Sequence, residues 1–117
     1  MTSQQPPEAQ HLDPADAKGR VDTGAMLLDV RNPDEWEAGH VEGSTWIPMT
    51  QLVERQSELP TDREIVVICK SGARSGRVAE ALVGAGYDAA NIAGGAEAWQ
   101  AAGFPIVTSD GRPGTVA

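Results

Sequence analysis

Cysteine is nearly absent from this 117-residue chain: Cys69 is the only one. No internal disulfide can form, so the fold cannot depend on oxidation. With two histidines beside that one cysteine, there is no Cys/His metal cluster, and no metal is expected. Basic residues are also scarce, 9 against 17 acidic ones, for a net charge of −8. That balance keeps a chain soluble and excludes nucleic-acid binding through its whole surface. No apolar run approaches the length of a membrane span, so no membrane partner is expected. The opening residues, Met1 to Glu8, lack the basic start and apolar centre of a signal peptide, which makes a cytoplasmic location the expectation. What is present is 40% hydrophobic residues on a length that fits one domain with one real core.

The pattern along the chain alternates between strand and helix. Residues 1–8 are polar and contain proline, and 108–117 look similar, so both ends read as flexible segments around a compact unit at 9–107. A short strand is expected near Ala9–Leu12. Asp13-Pro14 then reads as an N-cap followed by proline at the first helical position. Met26-Leu27-Leu28-Asp29-Val30 is a continuous apolar run ending in charge, the mark of a buried parallel strand. Asn32-Pro33-Asp34-Glu35 opens a short helix that Gly39 ends. Ser44–Ile47 reads as a short strand stopped by Pro48, and 50–59 carries a weak helical pattern through Leu52, Val53 and Leu59. Glu64–Cys69 is the clearest strand, and 75–85 the clearest helix, with Val78, Ala79, Leu82 and Val83 on one side. Asp88–Ala93 is a short strand, Gly94-Gly95 turns into a helix containing Trp99, and Gly103 closes it. Phe104–Val107 either docks on the core or forms a last extended piece. Together these elements predict an α/β fold with a mostly parallel sheet, in which ligands sit outside the carboxyl ends of the strands.

Cys69 stands at such an end. A β-branched run, Ile65-Val66-Val67-Ile68, stops at the thiol, and Lys70-Ser71-Gly72-Ala73-Arg74-Ser75 leads into the helix. Amide N–H groups and the positive end of the helix dipole gather there. Small side chains let successive N–H groups curl around one point, and Gly72 permits the backbone angle such a curl needs. Lys70 and Arg74 add cations. Each of these favours thiolate, so Cys69 is expected to be nucleophilic, with a depressed pKa. The plainer reading is a strand-end cysteine acting as a small hydrophobe above an ordinary turn. That reading leaves unexplained why a nucleophile sits at the focus of the loop.

With these residues in view, the chain resembles a single-domain rhodanese. Three motifs carry the resemblance: Leu28-Asp29-Val30-Arg31 with Glu35-Trp36, Gly39-His40-Val41-Glu42-Gly43-Ser44 and Ile47-Pro48; Val66-Val67-Ile68-Cys69-Lys70-Ser71-Gly72-Ala73-Arg74-Ser75; and Gly94-Gly95 with Ala98-Trp99 and Gly103-Phe104-Pro105. The resemblance spans about 9–107 in the family's order. It implies a three-layer fold with a central five-stranded sheet. It also implies a sulfurtransferase in which Cys69 takes the outer sulfur of an anionic donor such as thiosulfate and passes it, as a persulfide, to cyanide, a thiol or a protein acceptor. A monomer is the default expectation.

Other readings stay open beside it. Tyrosine phosphatases place five residues between cysteine and arginine; here four separate Cys69 from Arg74. Arsenate reduction would need an external thiol, because Cys69 has no partner cysteine. A sulfur-carrier or protein-binding module is the rival outside the enzyme class. Asp29 and Arg31 either pair to hold the strand end or turn Arg31 toward the site mouth. His40 is either a base beside Cys69 or a histidine that holds the fold through the backbone. Ser75 reads as an N-cap that could also donate to a bound anion. Trp36, Trp46 and Trp99 read as packing residues, and His11 carries no signal.

Overall fold

The computed structural model describes residues 8–117. The flexible segment expected at 1–8 therefore falls almost wholly outside the described residues. The elements in chain order are β1 (Gln10–Leu12), α1 (Pro14–Asp22), β2 (Met26–Asp29), α2 (Pro33–Ala38), β3 (Thr45–Trp46), β4 (Ile65–Ile68), α3 (Ala73–Gly84), β5 (Ala89–Ile92) and α4 (Gly95–Ala101). The strands form one five-stranded sheet in the order β1-β5-β4-β2-β3, every neighbouring pair parallel.

Side-chain alternation divides the core into two layers. Residues two apart on a strand share a face. Met26, Leu28, Ile65, Val67 and Ala89 pack on one face with Val78, Ala79 and Leu82 of α3. Leu27, Val66, Ile68, Ala90 and Ile92 pack on the other with Ala17 of α1 and Ala96 and Trp99 of α4. Both faces are covered, which is why β2, β4 and β5 are buried at every residue and, apart from Asp29 and Asn91, are apolar. The expected three-layer α/β fold is the one observed.

The helix starts follow their sequence signals closely. Asp13 Oδ1 accepts the Asp16 N–H at 2.8 Å, with Pro14 opening α1. Glu35 Oε1 accepts the Asn32 N–H at 3.0 Å at the start of α2. Three expectations need correction. Residues 50–59 form two 3₁₀ turns (Met49–Gln51 and Gln56–Glu58), not a helix. Leu52, Val53 and Leu59 make no continuous apolar stripe, and Val53 is 87% exposed. Next, α3 begins at Ala73, two residues before the expected start, with Gly72 as its N-cap, so Ser75 lies inside the first turn and is not the cap. Finally, the end of the chain is not loose. Val107 bridges both His40 and Pro113, Gly114 N–H donates to Ile106 O at 2.8 Å, and Thr115 N–H donates to Ala38 O at 2.9 Å.

Candidate active site

The alternation along β4 carries past its end. Ile65, Val67 and Cys69 share the α3 face, so the Cys69 side chain points beneath the first turn of that helix. Gly72 N–H donates to Sγ at 3.1 Å and Ser75 N–H at 3.4 Å, and the Ser75 hydroxyl, whose one proton Sγ shares with a second acceptor, Asn91 Oδ1, lies 3.2 Å from the sulfur. Burial pushes the thiol up. The Ser75 hydroxyl, the Ser75 and Gly72 amides and the Ser71 amide outweigh it and bring the thiol below its ordinary value. The lowering of the thiol therefore has a specific cause: neutral donors converging on one atom. The sulfur lies behind its loop, with Cys69 0% exposed.

A second helix holds the loop in this shape. Ala96 N–H donates to Cys69 O at 2.7 Å and Glu97 N–H to Lys70 O at 3.1 Å. With the loop carbonyls taken up by α4, the loop amides are left facing the sulfur. Close approach makes this possible. A Cβ on Gly95 would sit 2.4 Å from Cys69 O, and Gly95 has φ +58°. Gly72, at φ +98°, would place a Cβ 3.0 Å from Gly94 N.

The two cations near the sulfur differ in role. Arg74 makes a bidentate pair with Glu35 of α2, at 2.8 Å on both arms. The Arg74 hydrogen bonds hold the Glu35 carboxyl below the usual carboxylate range against the opposing effect of burial, with help from the Asn32 N–H. Glu35 in turn raises Arg74. Arg74 thus ties α3 to α2. Lys70 is half-buried and forms no ion pair among the described residues. Ser71 and Ala73 are exposed on the rim of the loop.

The supporting residues separate in the same way. Asp29 and Arg31 are each 1% exposed and joined by contacts of 2.8–3.1 Å; Arg31 Nη2 also donates to Gly39 O at 2.8 Å. They hold the end of β2 against the turn after α2, the structural role of the two considered. Arg31 Nη1 is buried without a hydrogen-bond partner among the described residues. His40 Nδ1 lies 2.9 Å from Trp36 O, the ring stacks on Trp36 at 3.6 Å, and its backbone pairs with Val107. These contacts tie His40 to Trp36 and Val107, and none of them runs to Cys69. Trp36 also stacks on Trp46 at 5.4 Å. Among the described residues, no group of three or more His, Cys, Asp or Glu side chains is placed to hold a metal.

Sequence reasoning did not find three residues of this region. Glu35 was visible as a first-turn acid and as part of the first motif, but not as the partner of Arg74. Asn91 is a polar residue inside a buried strand, a signal that could have marked it. Ser75 Oγ lies 2.5 Å from Asn91 Oδ1, and Asn91 Nδ2 reaches Gly72 O at 3.3 Å. His11, opposite Asn91 on β1, completes that chain with its Nδ1 3.0 Å from Asn91 Nδ2.

Comparison with known proteins agrees with this geometry. A family model described as Rhodanese-like domain matches residues 13–102. A protein of Allochromatium vinosum named sulfurtransferase is 39% identical over 87 residues, covering 74% of this chain and 81% of its own. A thiosulfate sulfurtransferase GlpE of Pseudomonas syringae is 31% identical over 105 residues, covering 89% and 98%. The crystal structure of a rhodanese-related protein from Thermoplasma volcanium superimposes with a TM-score of 0.78 at 32% identity, covering 84% of this chain and 97% of that one. By its sheet order, its cysteine loop and these matches over most of its length, the chain belongs to the rhodanese-like domain family.

Proposed function

We propose that this protein is a sulfurtransferase working through a persulfide on Cys69. The Cys69 thiolate attacks the outer sulfur of a small anionic donor of the thiosulfate type. A sulfur–sulfur bond forms to Sγ, the donor's own sulfur–sulfur bond breaks, and its electron pair leaves with sulfite. An acceptor nucleophile, cyanide or a thiol, then attacks the outer sulfur, and the electron pair returns to Sγ. The observation that carries this reading is the convergence of the Gly72 and Ser75 amides on one sulfur, with the Ser75 hydroxyl beside them. Such donors stabilise a thiolate before the reaction and a persulfide anion after the first half. Lys70, without a carboxylate partner among the described residues, would draw the anionic donor to the loop. The reading needs no resident metal or organic cofactor, and we place the reaction in the cytoplasm in a monomer.

The burial of Cys69 supports a second reading, a sulfur carrier whose acceptor is another protein that opens the loop on docking. One experiment separates the two. Thiocyanate formation from thiosulfate and cyanide is measured for the wild type and Cys69→Ala, with intact mass recorded after donor alone. Turnover lost in the variant, with one sulfur added to the wild type, supports the enzyme. An adduct without turnover supports the carrier. Neither adduct nor turnover, with thiosulfate and with other sulfur donors, overturns both. Aryl phosphate turnover lost in Cys69→Ser would instead identify a phosphatase.

A further inference from the structure

The polar chain behind Cys69 does not end at the loop. Ser75 Oγ lies 3.2 Å from Cys69 Sγ and 2.5 Å from Asn91 Oδ1. A hydroxyl has one proton, whereas a thiolate and an amide oxygen only accept, so two acceptors compete for it. The orientation of the Asn91 amide decides the competition. Its Nδ2 faces Gly72 O at 3.3 Å and His11 Nδ1 at 3.0 Å. In this orientation Oδ1 takes the Ser75 proton and the sulfur meets an Oγ lone pair. That suits a thiol, whose S–H then donates to Ser75, and it requires a neutral His11 with Nδ1 as acceptor. A protonated ring carries N–H at Nδ1, which opposes Nδ2. Turning the amide over sets Oδ1 against the His11 N–H and Nδ2 against Ser75 Oγ, giving up the longer contact to Gly72 O. Nδ2 now donates to Oγ, and the hydroxyl proton has one acceptor left, the sulfur.

We propose that His11 is a positioning residue for Cys69: acting through Asn91 and Ser75, its protonation directs the Ser75 proton onto the sulfur and favours the anionic form. The inference rests on Cys69 being the working nucleophile. Burial and placement suit such a chain. Ser75 is 0% and Asn91 2% exposed, so bulk water does not replace either bond. His11 is exposed on the edge strand β1 and exchanges protons with solvent. An imidazole changes between acceptor and donor at Nδ1 within about pH 5 to 8. The ring packs toward Gly76 of α3, where a Cβ would meet its Cε1 at 3.6 Å. The charged groups on the elements around it are Arg77 and Glu80 of α3, Glu8 and Asp13 flanking its own strand, and Asp88 before β5. None of them forms an ion pair with the ring. Around the sulfur the charged groups are Lys70, the Arg74–Glu35 pair and the Asp29–Arg31 pair. The other histidine, His40, is engaged with Trp36 and Val107.

The test is the rate of Cys69 alkylation by iodoacetamide from pH 5 to pH 9, in the wild type, His11→Gln, Ser75→Ala and the double variant. Glutamine keeps a side-chain acceptor for Asn91 and does not titrate. His11→Gln should react about threefold to tenfold more slowly than wild type at pH 6, the range set by one hydrogen bond, and equally fast at pH 8.5. In the Ser75→Ala background the same substitution should change nothing. Superimposable wild-type and His11→Gln profiles overturn the proposal, as does an equal effect of His11→Gln with and without Ser75. A second measurement needs no edge-strand variant: the His11 ring is titrated by NMR in the wild type and in Cys69→Ser. Linkage is reciprocal, so removing the thiolate should move the His11 midpoint to lower pH, and an unmoved midpoint overturns the proposal. Both readouts are independent of sulfur transfer. A protein that shows this coupling and makes no thiocyanate keeps the relay and loses the reaction proposed above.

Discussion

Gly95 gives the sharpest test of how the loop is held, because its two constraints can be separated. Gly95→Ala places a residue with a Cβ at φ +58°, where left-handed backbone costs a non-glycine residue about 1–2 kcal/mol. The same Cβ would lie 2.4 Å from Cys69 O and 2.6 Å from both the carbonyl carbon and oxygen of Lys70. These are backbone atoms, so relief requires the loop itself to move, and overpacking of this kind adds about 1–3 kcal/mol. Gly86→Ala is the control: φ is +94°, but nothing lies within 4 Å of its Cβ. With an unfolding entropy of about 0.25 kcal/mol per degree for a chain of this length, Gly86→Ala should lower Tm by about 4–8 °C and Gly95→Ala by about 8–20 °C. Only Gly95→Ala should also move the pH profile of Cys69 alkylation upward, because displacing the Cys69 and Lys70 carbonyls from α4 turns the loop amides away from the sulfur. Equal Tm losses in the two variants, with the Gly95→Ala profile unchanged, would refute the view that α4 shapes the loop.

Four further predictions follow from the same contacts. Glu35→Gln should destabilise the fold by about 1–3 kcal/mol by leaving Arg74 half-buried against a neutral partner, read as a lower denaturant midpoint. Because Glu35 is lower in the folded than in the unfolded chain, the stabilisation by the pair is complete above about pH 4.3 and is lost as pH falls through the depressed folded value; acid unfolding of Glu35→Gln should lack that component. Lys70→Ala should raise KM for thiosulfate about threefold to tenfold with little change in kcat, and the difference should shrink as salt is added; an equal effect at high ionic strength would point to packing instead of charge. His40→Ala should lower Tm through loss of the Trp36 stack while leaving the pH profile of alkylation in place, and a shifted profile would return His40 to the chemistry. Since Cys69 is inaccessible in the closed loop, cyanide should accept sulfur faster than glutathione, and equal rates would show that the loop opens widely in solution.

The strands and helix starts were readable because their signals are local. Met26–Leu28 and Ile65–Ile68 are apolar throughout because both faces of the sheet are covered, and Asn32-Pro33 states a helix start in two residues. The cysteine loop was readable for the same reason: a strand, a nucleophile, small residues and a helix follow one another directly. What was not readable depends on contacts between distant segments. Glu35 meets Arg74 across 39 positions, and His11 meets Asn91 across 80, because the first strand pairs with the last. The start of α3 was misplaced because Gly72 caps it with positive φ, so no polar side chain marks the boundary. The stretch at 50–59 failed for the opposite reason. Its apolar residues suggested a period, but only Leu59 is buried.

The charge arrangement bears on how the site selects an anion. Arg31 is committed to Asp29 and Arg74 to Glu35, so two of the three cations nearest the site are matched by carboxylates. The chain as a whole carries −8. A site built on net positive charge would work against that background field and weaken steeply with salt. The donors on the sulfur are neutral instead: two amides with the Ser75 hydroxyl beside them, fixed by α3 and α4. Fixed neutral dipoles stabilise an anion only at close range, after it has reached or formed at the focus. They therefore favour the thiolate and the persulfide over a free anion in solution. Within the loop, Lys70 is the cation without a carboxylate partner among the described residues, so salt should act on donor capture and not on the persulfide once formed. Persulfide lifetime measured by mass after donor removal should be insensitive to ionic strength in both wild type and Lys70→Ala. A lifetime that falls with salt in the wild type would mean that charge, and not the amide cradle, stabilises the intermediate.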